Sequence, residues 1–462
     1  MVYVHPSDDI LVECFYWDMI HHEFKLYSPQ SHFNPSSDPG IFRIDTGLFG
    51  RASTAIYIIS SEEGLGLVDS SGTPWAKPVL DAIEQILKRS IADVRYLFVT
   101  HAHLDHCGGV GWLYNEIKAV QETEGIPIVK VVCHEAAAPH IIDPSNLIKS
   151  ATKVYGKPLM EIMHGTVYPV DGKDVIPVGK DIKTIGDIQV INTPGHSFHH
   201  SAFLHVPSRM IFVGDLIGTN KENISIPFSF GHALADGMKF WPSLIVTSPT
   251  QFNAKFWLST LDVILPKDGI LEGVEIQGLI PTHWEPVIFI SERLVDARRK
   301  KVDEEKEEES SGSVDLSPSE REEIQLIRTK QINFCRDLFI RQVSSFGSCI
   351  KDLVVLSPFA KSSSHKVARK ITQDIFSDMC GEDISKRFLE VADGTVGIGA
   401  SGLLYRAYRQ RQRLSPLKKL ARGGYFVFVK HWIFWLLFAI IVGILIGMNF
   451  EQDIQTPNYL QK

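Results

Sequence analysis

Cysteine is scarce in this chain of 462 residues: there are six, at 14, 107, 133, 335, 349 and 380, and none forms a CxxC pair. Scattered thiols exclude a disulfide framework and fit a reducing, cytosolic compartment. Charge is equally unmarked, with 47 Lys and Arg against 54 Asp and Glu and a net charge of −7. That balance leaves no broad basic face and makes nucleic acid an unlikely partner. The opening stretch MVYVHPSDDILVECFYW lacks a basic segment followed by an apolar one, so no signal peptide is expected. The only GxGxxG match, Gly397 to Gly402, follows a helical pattern rather than a strand and does not read as a dinucleotide site.

One long apolar run is present. Trp432 to Met448, WIFWLLFAIIVGILIGM, is uncharged, and with its neighbours 431–450 it is long enough for a transmembrane helix. Arg406, Arg409, Arg411, Arg413, Lys418, Lys419, Arg422 and Lys430 precede it, whereas Glu451, Asp453 and a single base, Lys462, follow. The positive-inside bias places everything before the span in the cytosol. The expectation is a tail-anchored protein, with the endoplasmic reticulum favoured over the mitochondrial outer membrane.

Before that span, residues 1–290 alternate strand-like runs (TAIYII, GLGLVDS, VRYLFVT, PIVKVVCH, DIQVINT, SRMIFVGD) with helical ones (PWAKPVLDAIEQILKR, GVGWLYNEIKAV). Such alternation predicts an α/β domain. A helix is expected from Ile288 to Glu309, running into a charged end and linker over 291–319. Residues 320–400 read as a helical domain, 401–430 as a basic juxtamembrane segment, 431–450 as the transmembrane helix and 451–462 as a short lumenal tail.

The chemistry concentrates where VRYLFVT ends. Thr100 to Gly109, THAHLDHCGG, holds three histidines and an aspartate within six positions. On an extended strand end His101 and His103 point the same way, because side chains alternate with period two. The following turn offers Asp105 and His106 to a second ion, and two glycines let the backbone leave. Further candidates stand at other strand ends: Asp69 after GLGLV, His196 in NTPGHSFHH, Asp215 after MIFVG and His283 after GLIPT. A His- and Asp-rich set is unlike the closed, cysteine-rich cages of structural zinc.

On these motifs, taken in order, residues 40–290 resemble the metallo-β-lactamase fold superfamily. HEAAAPHIIDPSNLIKSATKVYG, TPGHSFHHSAFL, FVGDLIG and TSPTQFNAKFWLSTLDVIL resemble a subgroup of archaeal and bacterial hydrolases of uncertain substrate. The resemblance implies an αββα sandwich and two divalent metal ions, zinc first, with iron or manganese also compatible. It implies His101, His103 and His196 at one ion, Asp105, His106 and His283 at the other, and Asp215 between them, with Asp69 supporting a ligand histidine from behind. A water-derived hydroxide shared by the ions would attack the substrate, with Asp105 orienting it or taking a proton.

His140, His199 and His200 are candidates for substrate contact or proton donation, and His134 and Cys107 for structural roles. Segment 219–253, rich in aromatics, glycines and prolines, could form either a substrate lid or an ordinary packed loop. The expected function is hydrolysis of a small ester, thioester or lactone at a cytosol-facing membrane surface. The alternatives are a phosphodiesterase or nuclease of the same fold, and a non-catalytic membrane adaptor acting through residues 320–400.

Overall fold

The computed structural model describes residues 14–18, 23–26, 40–48, 52–61, 63–179, 181, 183–218, 251–284, 286–289 and 318–355. The expected span at 431–450, the basic stretch before it, the tail, the GxGxxG match and residues 219–250 of the candidate lid 219–253 lie outside the described residues. Among the described residues no helix is long and apolar enough to cross a membrane.

Two sheets organise the domain. The first has eight strands: β1 Cys14–Asp18, β2 Glu23–Leu26, β3 Gly40–Asp45, β4 Ala55–Ser61, β5 Gly64–Val68, β6 Val94–Val99, β7 Lys130–His134 and β8 Val175–Val178. Their order is β2-β1-β3-β4-β5-β6-β7-β8, antiparallel through β5 and parallel from β5 to β8. The second sheet is built from β9 Lys183–Ile185, β10 Ile188–Asn192, β11 Ser201–His205, β12 Met210–Gly214, β15 Gly278–Pro281 and β16 Val287–Ile288, in the order β16-β15-β12-β11-β10-β9. A small hairpin, β13 Ile270–Leu271 with β14 Val274–Glu275, stands apart.

Strand alternation explains the layering. Tyr57, Ile59, Val68, Phe98 and Val132 point inward from the first sheet and meet Val190, Phe203, Phe212 and Ile280 from the second, forming a buried core between the sheets. Residues of opposite parity in the first sheet, such as Ile56, Ile58, Leu67, Leu97 and Val131, pack against helices on its outer face. These helices are α1 Thr73–Asp81, α3 Val110–Glu124 and α4 Ala138–Ile142, with the single turn α2 Leu104–Cys107 between the first two. Helices α5 Ser145–Tyr155 and α6 Lys157–Met163 follow, and α7 Ala254–Ile264 serves the second sheet. Pro74 sits in the first turn of α1, where its missing N–H costs nothing, and Gly125 ends α3 in a left-handed turn.

Two expectations change. Ile288 does not begin a helix, because Val287 and Ile288 pair antiparallel with Leu279 and Gly278 and close the edge of the second sheet. The residues from 290 to 317 lie outside the described residues. The helical pattern at 320–343 is part of a longer helix, α8 Pro318–Val355, which docks on the domain. Arg336 pairs with Asp262 of α7, Arg328 pairs with Glu275 and donates to the Ile276 carbonyl, and Gln325 reaches the Asp268 carbonyl at 3.3 Å. Its buried face, Ile332, Cys335, Leu338, Phe339 and Val343, follows helical spacing.

Candidate metal centre

The candidate metal ligands and Asp69 follow the carboxyl ends of strands. Asp69 follows β5, His101 follows β6, His196 lies between β10 and β11, Asp215 follows β12 and His283 follows β15. Because β5 and β6 run parallel, as do β12 and β15, these ends lie on one edge of the sandwich, where open α/β sheets place their sites. Two groups result. His101, His103, His196 and Asp215 bring one atom each within 4.8 Å of one another, and so do Asp105, His106 and His283.

The first group is tight. His103 Nδ1 lies 2.7 Å from His101 Nε2 and 3.0 Å from His196 Nε2. Asp215 Oδ2 lies 3.3 Å from His196 Nε2 and 4.0 Å from His101 Nε2. The second oxygen of Asp215 faces the other group: Oδ1 is 3.2 Å from His106 Nε2 and 3.3 Å from His283 Nε2. Asp105 Oδ2 completes that group, 3.5 Å from His283 Nε2 and 3.7 Å from His106 Nε2. Asp215 therefore stands between the two groups with one oxygen toward each.

Supporting hydrogen bonds fix which ring nitrogen faces inward. His106 Nδ1 donates to Asp69 Oδ2 at 2.8 Å, and His283 Nδ1 donates to the Ser53 carbonyl at 2.9 Å. The Thr100 hydroxyl donates to the Asp69 carboxylate, at 2.9 Å from Oδ1, leaving its oxygen to accept from His101 Nδ1 at 3.1 Å. The Nε2 atoms of His101, His106 and His283 consequently present lone pairs to one another and to the Asp215 oxygens. His106 Nε2 and Asp215 Oδ1 are buried without a hydrogen-bond partner. Facing lone pairs and carboxylates in so little space require cations or protons among them, so the donor set fits divalent metal.

Asp69 binds more than one ligand in place. It also accepts from the Thr100 N–H at 2.9 Å and from the Thr282 hydroxyl at 2.5 Å, so it touches the segments bearing His101, His106 and His283. It adopts a left-handed backbone (φ 60°), which costs a non-glycine residue roughly 1 kcal/mol and is tolerated where the surroundings overdetermine it. Thr100, Thr282 and Ser53 had no signal in the sequence, since hydroxyls and carbonyls adjacent to a ligand match no spacing rule. Gly214, preceding Asp215, has φ 50°, and a Cβ there would lie 2.8 Å from His200 Nε2. Only glycine lets β12 pass that close.

Electrostatics differ across the centre. Burial, then the neighbouring His106, His103 and His196, hold His101 well below the usual imidazole range, and burial with His196 pushes His103 down to about 3. Burial opposes charge on His106 too, but Asp215, Asp105 and Asp69 outweigh it and raise that group well above its ordinary value. His283 is raised in the same sense against burial, chiefly by Asp215. Against burial, His106 and His283 hold Asp215 and Asp105 below the carboxylate range.

The other histidines separate. The His199 Nδ1 accepts from the Ala102 N–H at 3.2 Å and sits 3.1 Å from the Ser197 hydroxyl, with its ring 5.9 Å from His103 and 6.3 Å from His140. His200 is fully buried, 5.0 Å ring to ring from His101, with Nδ1 2.8 Å from the Thr193 hydroxyl. His134 Nδ1 accepts from the Ala136 N–H, a turn contact. Cys107 is buried in the core between the first sheet and its helices. Of the seven converging side chains, His103 and Asp105 are the partly exposed ones, so the centre opens to solvent on their side.

The profile of the family described as "Metallo-beta-lactamase superfamily" matches residues 49–271. That match supports a metallo-beta-lactamase superfamily domain over those residues. Members of that superfamily are generally hydrolases. A curated relative of this domain, the "Beta-lactamase-like protein 2 homolog" of Caenorhabditis elegans, is 27% identical over 171 residues. That match covers 37% of this chain and 46% of the relative, about half the latter's length. Among solved structures, an archaeal metallo-beta-lactamase superfamily protein from Sulfolobus tokodaii is 19% identical, covering 63% of this chain and 93% of the other, with TM-score 0.34. A metallo-beta-lactamase family protein from Thermus thermophilus is 15% identical, covering 73% and 88%, with TM-score 0.35.

Proposed function

We propose that the metallo-beta-lactamase domain is a dinuclear hydrolase for a small ester, thioester or lactone. The observation that supports two ions is Asp215, whose oxygens approach opposite groups at 3.2–3.3 Å. Divalent ions bound there supply Lewis acidity and lower the pKa of water toward neutrality. His101, His103 and His196 hold one position and Asp105, His106 and His283 the other, with zinc the preferred occupant of so imidazole-rich a set. Burial of His101, His106 and His196 strips water from the floor and strengthens every interaction there.

Asp105 faces the open side with its side chain 23% exposed, and the carboxylate oxygen not turned to His106 and His283 would orient the attacking water or take its proton. His199 has a fixed tautomer: with Nδ1 accepting, its proton sits on Nε2. That N–H and His140 form a polar wall for an oxygen of the substrate. The apolar run 432–448 anchors the chain in a membrane, favouring the endoplasmic reticulum, with the domain in the cytosol.

The test is metal analysis of the purified chain together with a panel of esters, thioesters, lactones and phosphodiesters. The expected result is about two equivalents of metal, carbon-ester turnover abolished by chelation, and turnover lowered on the order of 100-fold or more in Asp105→Ala. A chain without metal refutes the hydrolase. Turnover of phosphodiesters alone replaces the substrate class.

A further inference from the structure

The two residues that the second sheet contributes to the first group, His196 and Asp215, sit on separate loops. Among the described residues, no backbone hydrogen bond of the strand pairing joins those loops at their tips. One side chain from outside both does. Trp257, fully buried on the inner face of α7, donates its indole N–H to the carbonyl of Leu216, the residue after Asp215, at 3.0 Å. Its ring stands edge-on to His196, with centroids 5.6 Å apart and planes at 86°.

The contact with the His196 loop is close all along. Gly195, the residue before His196, has φ 154°, and a Cβ there would fall 2.4 Å from the Trp257 Cα. Glycine is required because the helix backbone occupies that space. The Gly195 carbonyl accepts from the Asn253 N–H at 2.8 Å, and the Pro194 carbonyl accepts from the Thr260 hydroxyl at 2.6 Å. Helix α7 is in turn held from behind by α8 through Arg336 and Asp262.

We infer that Trp257 is a positioning residue of the metal centre: it ties the Leu216 carbonyl to the His196 ring and so sets the spacing of His196 from Asp215. The inference rests on the metallohydrolase reading above. It assigns a purpose to the TSPTQFNAKFWLSTLDVIL segment beyond filling space, since a helix that only covered the sheet would need neither the indole N–H nor the glycine opposite it. Partners that orient a ligand without touching the metal typically alter affinity by 10- to 100-fold when removed.

The experiment measures zinc affinity of the full-length chain by competition with a chromophoric chelator, alongside the melting temperature of the metal-free protein. Trp257→Phe keeps an aromatic ring and deletes the indole N–H, and is expected to bind zinc about 10-fold more weakly. Thr260→Val deletes the hydroxyl bond to Pro194 with little change of shape, and is expected to weaken binding about fivefold. Ile117→Ala, in the core behind the first sheet, supplies a destabilised control with wild-type affinity. If Trp257→Phe fails to fold, Thr260→Val decides. The inference is overturned if these variants bind zinc as wild type does, or lose no more affinity than Ile117→Ala at an equal loss of melting temperature. A wild-type chain that binds no zinc overturns this inference and the hydrolase together.

Discussion

The two halves of the centre use nearly the same residue types and hold their protons in opposite ways. Around His101, His103 and His196 the neighbours are mostly other imidazoles, and burial keeps His101 and His103 neutral. Around His106 and His283 stand Asp69, Asp105 and Asp215, and those carboxylates pull both imidazoles toward the charged form against burial. His101 and His103 are ready for metal, whereas His106 and His283, beside carboxylates, must first give up protons. What separates them is the placement of carboxylates rather than of histidines.

Asp215→Asn should break this contrast most completely, because the one carboxylate shared by both halves loses its charge. Metal content should fall in both, and turnover of the best substrate should drop on the order of 1,000-fold, equivalent to about 4 kcal/mol of barrier. A variant that kept two equivalents of metal would show that the halves do not share this residue.

Asp69→Asn acts from behind and should cost less, about 10- to 100-fold in metal affinity. The loss should be greater in the half containing His106, which bonds Asp69 directly, than in the half containing His101, which reaches it through Thr100. Stepwise titration with a chelator would resolve the two losses, and equal losses would contradict the difference in route.

The smallest effect sharpens the proton argument. His106 and His283 are raised in the folded, metal-free chain, so their stabilising charge is complete below the unfolded value near 6.5 and is lost as pH rises through the folded value. Metal displaces the same protons, so affinity of that half should rise with pH, by up to tenfold per unit for each proton displaced, until the raised folded values are passed, and level off above them. Affinity of the other half should stay flat between about pH 5 and 8, since His103 titrates only near 3. Calorimetry at neutral pH in two buffers of different ionisation enthalpy would detect the release. His283→Ala, which leaves the first half intact, should abolish most of it. Undiminished release would place the protons elsewhere.

Much of the arrangement could be seen before folding was considered. Alternation of β-branched runs marked β4, β5, β6, β7, β10 and β12, and the density of His101, His103, Asp105 and His106 in one loop pointed to metal without any tertiary information. Other features were hidden for stateable reasons. Thr100, Thr282 and Ser53 act through one hydroxyl or carbonyl each, and such groups occur everywhere in a chain. Val287 and Ile288 are too short a run to register as a strand until β15 lies beside them. Trp257 reads as an ordinary core residue of an amphipathic helix, and its role is visible only from the loops that it touches.

The sequence by itself determined which side chains were available for metal, and that strand ends would present them, because residue type and two-residue alternation are local properties. Only the tertiary structure decided that Asp215 faces both groups, that Asp69 gathers three segments behind them, and that the two halves differ in protonation. Those outcomes depend on distances of 2.5–4.0 Å between residues up to 213 positions apart. Such distances are set by how two sheets pack, which no single stretch of chain specifies.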